Sequence, residues 1–346
     1  MKNLQLREKD RHIFNLIVEE YLSTGKPVSS DVVSSRSRLP VSSATVRNIM
    51  AKLEKQNYLY KPHSSSGRIP TDLGLRLYVN HLYNQAIAPG DYIELPAEEF
   101  SLEKGDLDSL LRQVSQTLSK YSDNLGFVIS PTISRMNFNH IRMIRIAEEK
   151  VMIILVTTFN LVLTEIIEPT VSITQTELDR ACRFIEENFR GKRLVDVRDY
   201  LLKEFPKYRM RVEVILQKLT DLLKAYSVHQ ESEQKIILQG AAKLLEKPEL
   251  FDMKRLQSLF QKFEERAKLA KLLSDFISLD RVKVIIGSEL ELPDISDCSL
   301  ILSHYGYERQ ILGSLGIIGP KRIPYRKVIP LVEYVARKLS QTISVH

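Results

Sequence analysis

Cysteine is scarce in this sequence, and long apolar runs are missing. Only two cysteines, Cys182 and Cys298, occur in 346 residues, and no Cys-x-x-Cys spacing indicates a zinc cluster or a disulfide framework. The longest apolar stretch without a charged residue, residues 151–164, is too short to cross a bilayer. The first ten residues contain no apolar signal core. We therefore expect a cytoplasmic protein that does not contact a membrane.

Signals for catalysis are also weak. The seven histidines show no His-x-x-x-His spacing, and no Ser-His-Asp or Cys-His arrangement is supported. Gly313, Gly316 and Gly319 recur every three residues, which matches neither a dinucleotide-binding fingerprint nor a Walker loop, and we interpret them as strand and turn glycines. The acidic residues of 289–297 have no paired histidine and are interpreted as a solvated turn. The sequence therefore predicts a protein that is not an enzyme and holds no cofactor or metal ion.

Positive charge is concentrated at the start of the chain. Residues 1–84 carry 13 Lys and Arg against 7 Asp and Glu, a net charge of +6. The remaining residues carry 37 basic and 36 acidic side chains, a net charge of +1. This asymmetry indicates a module that faces a polyanion and is attached to a nearly neutral body. Charge alone does not separate nucleic acid from an acidic membrane.

Residues 1–84 show the outline of a winged helix-turn-helix domain. Apolar residues at helical spacing predict a first helix over 7–22, which stops at Gly25. Serines at position 29 or 30 and at position 42 are expected to cap a second and a third helix. The third helix carries one apolar stripe, formed by Val46, Ile49, Met50 and Leu53. Two short extended pieces then predict a hairpin, and Thr71-Asp72 begins a closing helix.

The rest of the chain predicts an α+β body of more than one domain. Residues 85–106 contain Pro89-Gly90 and Pro96 and are interpreted as a linker. After a helix near 107–121, strand patterns occur in two groups, at 125–130, 140–147, 151–158 and 161–167, and at 282–287, 299–305 and 313–318. The intervening residues 172–278 are expected to be almost wholly helical. One sheet interrupted by a helical insertion is the simplest account.

The outer side of the third helix has the properties of a DNA-reading surface. Small residues there permit a close approach to the major groove, and Arg47 and Asn48 can pair with guanine and adenine edges. Serine hydroxyls and the helix N-terminus can meet a phosphate. The candidate DNA-binding residues of this helix are Ser42, Ser43, Ala44, Thr45, Arg47, Asn48, Lys52 and Lys55. An ordinary surface helix with a solvated polar face is the alternative.

The predicted hairpin is small, polar and basic around its turn. Its hydroxyls and Gly67 would let the backbone approach a phosphate chain, and Arg68 could enter the minor groove or bind a phosphate. The candidate DNA-binding residues here are Lys61, His63, Ser64, Ser65, Ser66, Gly67 and Arg68. A plain polar hairpin is the alternative, but a basic helix followed directly by a basic hairpin favours double-stranded DNA.

These motifs resemble those of the heat-inducible transcription repressor family HrcA. The resemblance rests on residues 42–48 (SSATVRN), 62–71 (PHSSSGRIPT), 240–246 (GAAKLLE), 284–289 (VIIGSE) and 316–322 (GIIGPKR), and it extends over essentially the whole chain. It implies a dimeric repressor of chaperone operons that binds an inverted-repeat operator. It further implies that the chaperonin is a partner that keeps the repressor active, so that heat stress relieves repression.

The resemblance also implies a division into domains. A winged-helix domain (1–84) and the linker (85–106) would precede a GAF-like domain in two parts (107–171 and 279–346), which encloses an inserted dimerising domain (172–278). The chain departs from the family's usual pattern at two positions. Ile49 stands where an acidic or polar residue is common, and the second helix opens with Ser29-Ser30-Asp31 where a basic residue is typical.

The apolar stripe of the inserted domain has two interpretations. It packs within its own domain, or it pairs with a second subunit, which an inverted-repeat operator favours because it demands a two-fold protein. The candidate dimerisation residues are Val212, Ile215, Leu219, Leu222 and Tyr226. An alternative function is an effector-sensing regulator whose GAF-like domain binds a small metabolite. A third is an enzyme that merely docks on nucleic acid.

Overall fold

The fold is that of a computed structural model. The residues that the structure describes are 6–63, 66–84, 107–131, 136–158, 162–168, 173–194, 196–197, 200, 236–245, 282–290, 296–307 and 310–344. They form helices and three antiparallel sheets. The fold is therefore of the mixed α and β kind that the sequence predicts.

The N-terminal part folds as helices around a small hairpin. Its elements are α1 (Glu8–Thr24), α2 (Ser30–Arg36), α3 (Ser43–Lys55), β1 (Leu59–Tyr60), β2 (Ile69–Pro70) and α4 (Asp72–Asn84). The strands β1 and β2 pair antiparallel, with Leu59 opposite Pro70. The helices and the hairpin predicted from the sequence are all present.

Local sequence signals set the ends of these helices. Gly25 ends α1 in the left-handed conformation, with a φ of 69°, and its N–H donates to the Tyr21 carbonyl. The Ser42 hydroxyl accepts the Thr45 N–H at 3.2 Å, which satisfies a donor that the first turn of α3 leaves open. Ser29 caps α2 in the same way. The predicted stop and caps are therefore confirmed.

The apolar stripe of α3 is buried as the sequence predicts. Val46 and Leu53 are fully buried, and Ile49 and Met50 are nearly so. The four side chains belong to the same apolar cluster as the buried side of α1. Burial of each such side chain contributes about 1.5–3 kcal/mol, so packing rather than helix propensity holds this 13-residue helix.

The rest of the described chain adds two larger sheets and further helices. Their elements are α5 (Leu107–Ser122), β3 (Leu125–Ile129), β4 (Phe138–Ala147), β5 (Lys150–Thr157), β6 (Val162–Ile167), α6 (Gln175–Phe189), β7 (Ile236–Gln239), α7 (Ala241–Leu245), β8 (Lys283–Ile286), a 3₁₀ turn (Gly287–Leu290), β9 (Cys298–Tyr307), β10 (Gln310–Pro320) and α8 (Tyr325–Ser344). Each strand pattern of the sequence corresponds to one of these strands. The three glycines at 313, 316 and 319 lie in β10, as expected.

The larger sheet has five strands in the order β7-β3-β10-β9-β8. Every neighbouring pair is antiparallel. The helices α5 and α8 pack against the sheet through their apolar sides. The apolar cluster that they share with the sheet continues into α1, α3 and α4, so the N-terminal part and the five-stranded sheet have one continuous core.

The expectation that one sheet holds both groups of strands is wrong. The strands β4, β5 and β6 form a separate three-stranded antiparallel sheet, which packs with α6 around an apolar cluster of its own. Within the larger sheet β3 is paired on both sides, by β7 and β10, so no edge of β3 is open to β4. Alternating apolar residues identify a strand but do not identify its neighbours.

Residues 172–278, which we expect to be almost wholly helical, contain at least one strand. The strand β7 lies inside that range and pairs with β3, with Ile237 opposite Val128. A four-residue strand is too short for its period to be distinguished from that of a helix. The predicted apolar stripe of 212–226 and the candidate dimerisation residues lie outside the described residues.

Helices long and apolar enough to cross a membrane are not found among the residues that the structure describes.

Candidate nucleic-acid interface

The outer side of α3 is a polar surface opposite a buried one. Its exposed residues are Ala44, Arg47, Asn48, Ala51, Lys52 and Lys55. Thr45 is half-buried beside them, and its hydroxyl lies 3.0 Å from that of Ser42. Within the described part of the chain, the side chains of Arg47, Asn48 and Lys55 have no hydrogen-bond or ion-pair partner. The groups best suited to read base edges are therefore available to a ligand.

Ser43 holds α3 against α2. Its hydroxyl lies 2.5 Å from the Asp31 carboxylate and 2.9 Å from the Ser30 hydroxyl. Because a carboxylate only accepts hydrogen bonds, the Ser43 hydroxyl donates to Asp31. This explains the acidic residue at position 31, which neutralises no phosphate but joins the N-terminal turns of two helices. Ser43 is thus engaged within the protein rather than open to a phosphate.

Lys52 is engaged as well. Its ammonium group lies 2.5 Å from the Asp10 carboxylate of α1, whose residue is only 8% exposed, whereas the Lys52 side chain is 47% exposed. The pair ties the last turn of α3 to the first turn of α1. Much of the Lys52 charge is therefore balanced inside the domain, in contrast to that of Lys55 one turn later.

Arg68 braces the hairpin against α3. Its guanidinium donates to the Glu54 carboxylate at 2.8 Å, and its side chain is only 18% exposed. The Arg68 backbone forms an isolated bridge with Val28, in which each residue donates its N–H to the other's carbonyl at 2.9 Å. A role in the minor groove would require this ion pair to break.

Gly67 is needed for packing inside the protein. A Cβ at this position would overlap the backbone of Val28, so only glycine lets the hairpin approach that segment. Next to it, the Ser66 hydroxyl accepts the His63 N–H at 2.9 Å and donates to the His63 carbonyl at 2.7 Å, which closes the turn. Lys61 is half-buried and His63 is exposed, while Ser64 and Ser65 lie outside the described residues.

The ionisation of neighbouring groups follows from burial. Burial, with a contribution from the Arg11 charge, lowers the pKa of His81, whose ring lies 6.5 Å from that of Phe14. The imidazole is therefore packed in its neutral form. Burial raises the pKa of the Cys182 thiol to about 11, so this cysteine is an inert part of the core and not a nucleophile. Among the described residues no group of three or more His, Cys, Asp and Glu could hold a metal ion.

Comparison with known proteins identifies the family. The model described as HrcA protein C terminal domain matches residues 108–329. The heat-inducible transcription repressor HrcA of Syntrophobacter fumaroxidans is 33% identical over 340 residues, which cover 97% of each chain. The protein of the same name from Geobacter sulfurreducens is 34% identical over 338 residues, 97% of this chain and 98% of its own. The chain belongs to the HrcA family.

A solved structure shares the HrcA fold of this chain. It is the crystal structure of a hypothetical protein, with 22% identity, coverage of 99% of each chain and a TM-score of 0.64. Membership of the HrcA family makes the chain a heat-shock transcriptional repressor. The resemblance in residues 42–48 and 62–71 predicts this function from the sequence, and the comparisons confirm it.

Three acidic residues in this HrcA chain have roles that the sequence analysis missed. Asp10, Asp31 and Glu54 each hold one of the candidate DNA-binding residues in place. The partners are 42, 12 and 14 residues apart, and no helical or strand period connects such positions. Only the unusual acid at position 31 was visible as a departure from the family pattern.

Proposed function

We propose that residues 1–84 form a winged helix-turn-helix domain whose helix α3 enters the major groove of an operator. The observation that carries the proposal is the outer side of α3, where Arg47 and Asn48 are exposed side by side without a partner among the described residues. Ala44 and Ala51 on the same side leave room for the helix to approach the base pairs. The opposite side of the helix is locked in the core.

The contacts within the domain divide the candidate residues into two groups. Arg47 and Asn48 would read bases, and Lys55 and Lys61 would neutralise phosphates. His63 and the serines of the hairpin turn would lie against the backbone of the duplex. The residues Ser43, Lys52, Gly67 and Arg68 would act indirectly, by keeping α2, α3 and the hairpin in one arrangement.

We further propose that two copies bind an inverted repeat and repress by occluding the promoter. The five-stranded sheet with α5 and α8 would be the GAF-like domain. The three-stranded sheet lies within residues 107–171, which the sequence assigns to that domain, but because it packs with α6 around a cluster of its own it would instead belong to the inserted dimerising domain. The outer side of the three-stranded sheet supports a contact there, because Ile144, Val162 and Ile166 are 42%, 55% and 53% exposed. The candidate dimerisation residues of the same insertion are Val212, Ile215, Leu219, Leu222 and Tyr226.

The chaperonin is the proposed partner that keeps the repressor competent. On heat stress, unfolded proteins would occupy the chaperonin and leave the repressor inactive. Purified chaperonin is then expected to raise the fraction of the chain that binds operator. Equal operator binding with and without chaperonin, at equal protein recovery, would contradict this part of the proposal.

The DNA-binding proposal is tested by measuring dissociation constants for a duplex selected by the protein from a randomised pool and for a scrambled duplex. The wild-type chain is expected to prefer the selected duplex. Arg47→Ala should weaken binding to that duplex by about 1–3 kcal/mol and relax the preference at one base pair. Lys61→Ala is the matched comparison and should weaken binding to both duplexes alike. Loss of the same size on both duplexes for Arg47→Ala would refute base reading.

A further inference from the structure

Charged side chains join the N-terminal part to the five-stranded sheet. Arg76 of α4 donates to both carboxylate oxygens of Glu289, which lies in the 3₁₀ turn after β8, and also donates to the Val284 carbonyl at 2.5 Å. Glu289 is held in turn by the Ile286 N–H at 2.9 Å. The pair is half-buried and its geometry is bidentate, the arrangement in which an Arg–carboxylate pair is most specific.

A second pair lies one turn earlier on α4. The Asp72 carboxylate accepts from the Lys321 ammonium at 2.8 Å and from the Ser288 N–H at 3.0 Å. The backbone at Gly287 approaches this carboxylate so closely that a Cβ there would overlap it. We refer to the pairs Asp72–Lys321 and Arg76–Glu289 as the ionic latch.

Other contacts surround the ionic latch. The Arg326 guanidinium of α8 lies 3.2 Å from the Glu19 carboxylate of α1. The Arg322 guanidinium packs over Gly25, at the C-terminal end of α1, where a positive charge meets the negative end of the helix dipole. At the far end of α4, the Tyr83 hydroxyl donates to the Val282 carbonyl at 2.8 Å. The junction is thus held at both ends of α4 and at the end of α1.

The ionic latch is connected to α3 by a short path of hydrogen bonds. Thr71, which precedes Asp72, donates its hydroxyl to the Asn57 carbonyl at 2.6 Å and its N–H to the Tyr58 carbonyl at 3.1 Å. The Tyr58 N–H in turn donates to the Leu53 carbonyl in the last turn of α3. A movement of Asp72 relative to the sheet therefore moves the C-terminal end of α3 with it.

The covalent connection alone would not fix the orientation of the N-terminal part relative to the five-stranded sheet. The segment between α4 and α5, residues 85–106, has 22 residues, and an extended chain of that length reaches roughly 70 Å. Apolar contacts across the junction hold the parts together but are not directional. Directional contacts at fixed positions therefore add a preference for one angle between the parts.

We propose that the ionic latch sets the orientation of α3 on the body of the protein, and thereby the spacing between half-sites that a dimer accepts. The inference rests on the proposed function, since it concerns the same DNA-binding helix. Asp72 and Arg76 are positioning residues in this proposal and touch no DNA. An oriented pair of recognition helices discriminates between half-site spacings because each helix must meet a groove on the same face of the duplex.

The test uses full-length protein and inverted-repeat duplexes that the wild-type chain selects from a randomised pool. Their spacer is then changed by one base pair and by five base pairs, the latter being about half a turn of the duplex. The variants are Asp72→Asn/Arg76→Gln, and Glu289→Gln/Lys321→Gln, which alters the body alone. Lys243→Gln is the matched control, because Lys243 pairs with Asp123 at the β7 edge of the five-stranded sheet, the edge opposite β8, and its side chain is 28% exposed, as is that of Lys321.

The expected result is a change in spacing preference without a change in recognition. The ratio of dissociation constants between altered and selected spacers should fall roughly tenfold in both latch variants, the size of a typical coupling between two sites. Binding to a duplex with one half-site should stay within about twofold of wild type, and Lys243→Gln should keep the full ratio. Arg76→Lys, which retains the charge, should restore part of it.

Three results would overturn the inference. If both folded latch variants keep the wild-type ratio, the latch does not set the spacing. If they bind every duplex more tightly than wild type, the latch holds an inactive arrangement instead. If the wild-type chain itself prefers no duplex over a scrambled one, the proposed function fails and the inference falls with it. Thermal unfolding of each variant shows that it is folded, and the body-side variant leaves the DNA-binding domain unchanged.

Discussion

Two lysines one turn apart on α3 are expected to respond differently to the same substitution. Lys52 is paired with Asp10, and Lys55 has no partner among the described residues. In the proposed dimer Lys55→Ala would remove one phosphate contact from each subunit, so the slope of log K against log salt should become less negative by about 2. Lys52→Ala should change that slope less, because its charge is already balanced by a carboxylate.

The free energy of unfolding should respond in the opposite order, with Lys52→Ala more destabilising than Lys55→Ala. Lys52→Ala leaves the Asp10 carboxylate, 8% exposed, without its ion-pair partner. Removing the partner of a buried charged acceptor costs about 1–3 kcal/mol, and the half-exposed position of Lys52 places the expected loss near the lower end. Lys55→Ala should change the free energy of unfolding by less than about 0.5 kcal/mol, as is usual for an exposed site.

Both quantities are measurable on the same samples. Fluorescence anisotropy with a labelled duplex at several salt concentrations gives the slope, and urea unfolding followed by circular dichroism gives the stability of the domain. Lys52→Ala/Asp10→Asn is the control, because it removes the unpaired charge and should recover part of the lost stability. The division of roles would be refuted if Lys52→Ala left stability unchanged and altered the salt slope as much as Lys55→Ala does.

Two further predictions concern the domain itself. Gly67→Ala should open the backbone bridge between Val28 and Arg68, whose two hydrogen bonds are worth roughly 0.5–1.5 kcal/mol each. Hydrogen exchange of the Val28 and Arg68 amides should therefore accelerate roughly ten- to a hundredfold. Unchanged exchange rates would contradict the packing role of the glycine. Because burial lowers the pKa of His81, the unfolded chain binds a proton more readily than the folded one, and the free energy of unfolding should fall as pH drops below the ordinary value of 6.5. Urea titrations at several pH values should show a flatter dependence for His81→Gln, and an unchanged one would exclude His81 as the source.

Local features of the N-terminal part could be predicted from the sequence. The cap at Ser42, the stop at Gly25 and the buried stripe of α3 depend on residues within one or two turns of each other. Such signals are read directly from spacing. The contacts that decide which polar side chains remain available to a ligand are not local. The pair of Lys52 and Asp10, for example, joins positions 42 residues apart.

The distinction between local and distant contacts also explains why the expectation of a single sheet is wrong. Each strand pattern was identified, since alternation is a local property of the chain. The strand β3 pairs with two others. One is β10, which lies far along the sequence, and the other is β7, whose four residues are too few to show the alternation of a strand. Strands β4, β5 and β6 instead pair through short connections and make their own layer with α6. Strand pairing depends on which faces are buried in the folded chain as a whole, and this cannot be inferred from the sequence of one segment.

The placement of acidic residues also changes what the net charge of the first 84 residues means. Asp10, Glu20 and Glu54 pair with basic residues inside the domain, and Glu19 and Asp72 pair with basic residues of the body. Four of these acids lie outside α3, and Glu54, on α3 itself, is turned to Arg68 of the hairpin. Arg47, Lys55 and Lys61 keep no partner among the described residues, so part of the excess charge of +6 is left on the side where a duplex would lie. The positive electrostatic potential on the outer side of α3 depends on the absence of acidic side chains there. Introducing one acidic residue on that side should therefore weaken DNA binding more than removing one lysine from another part of the surface.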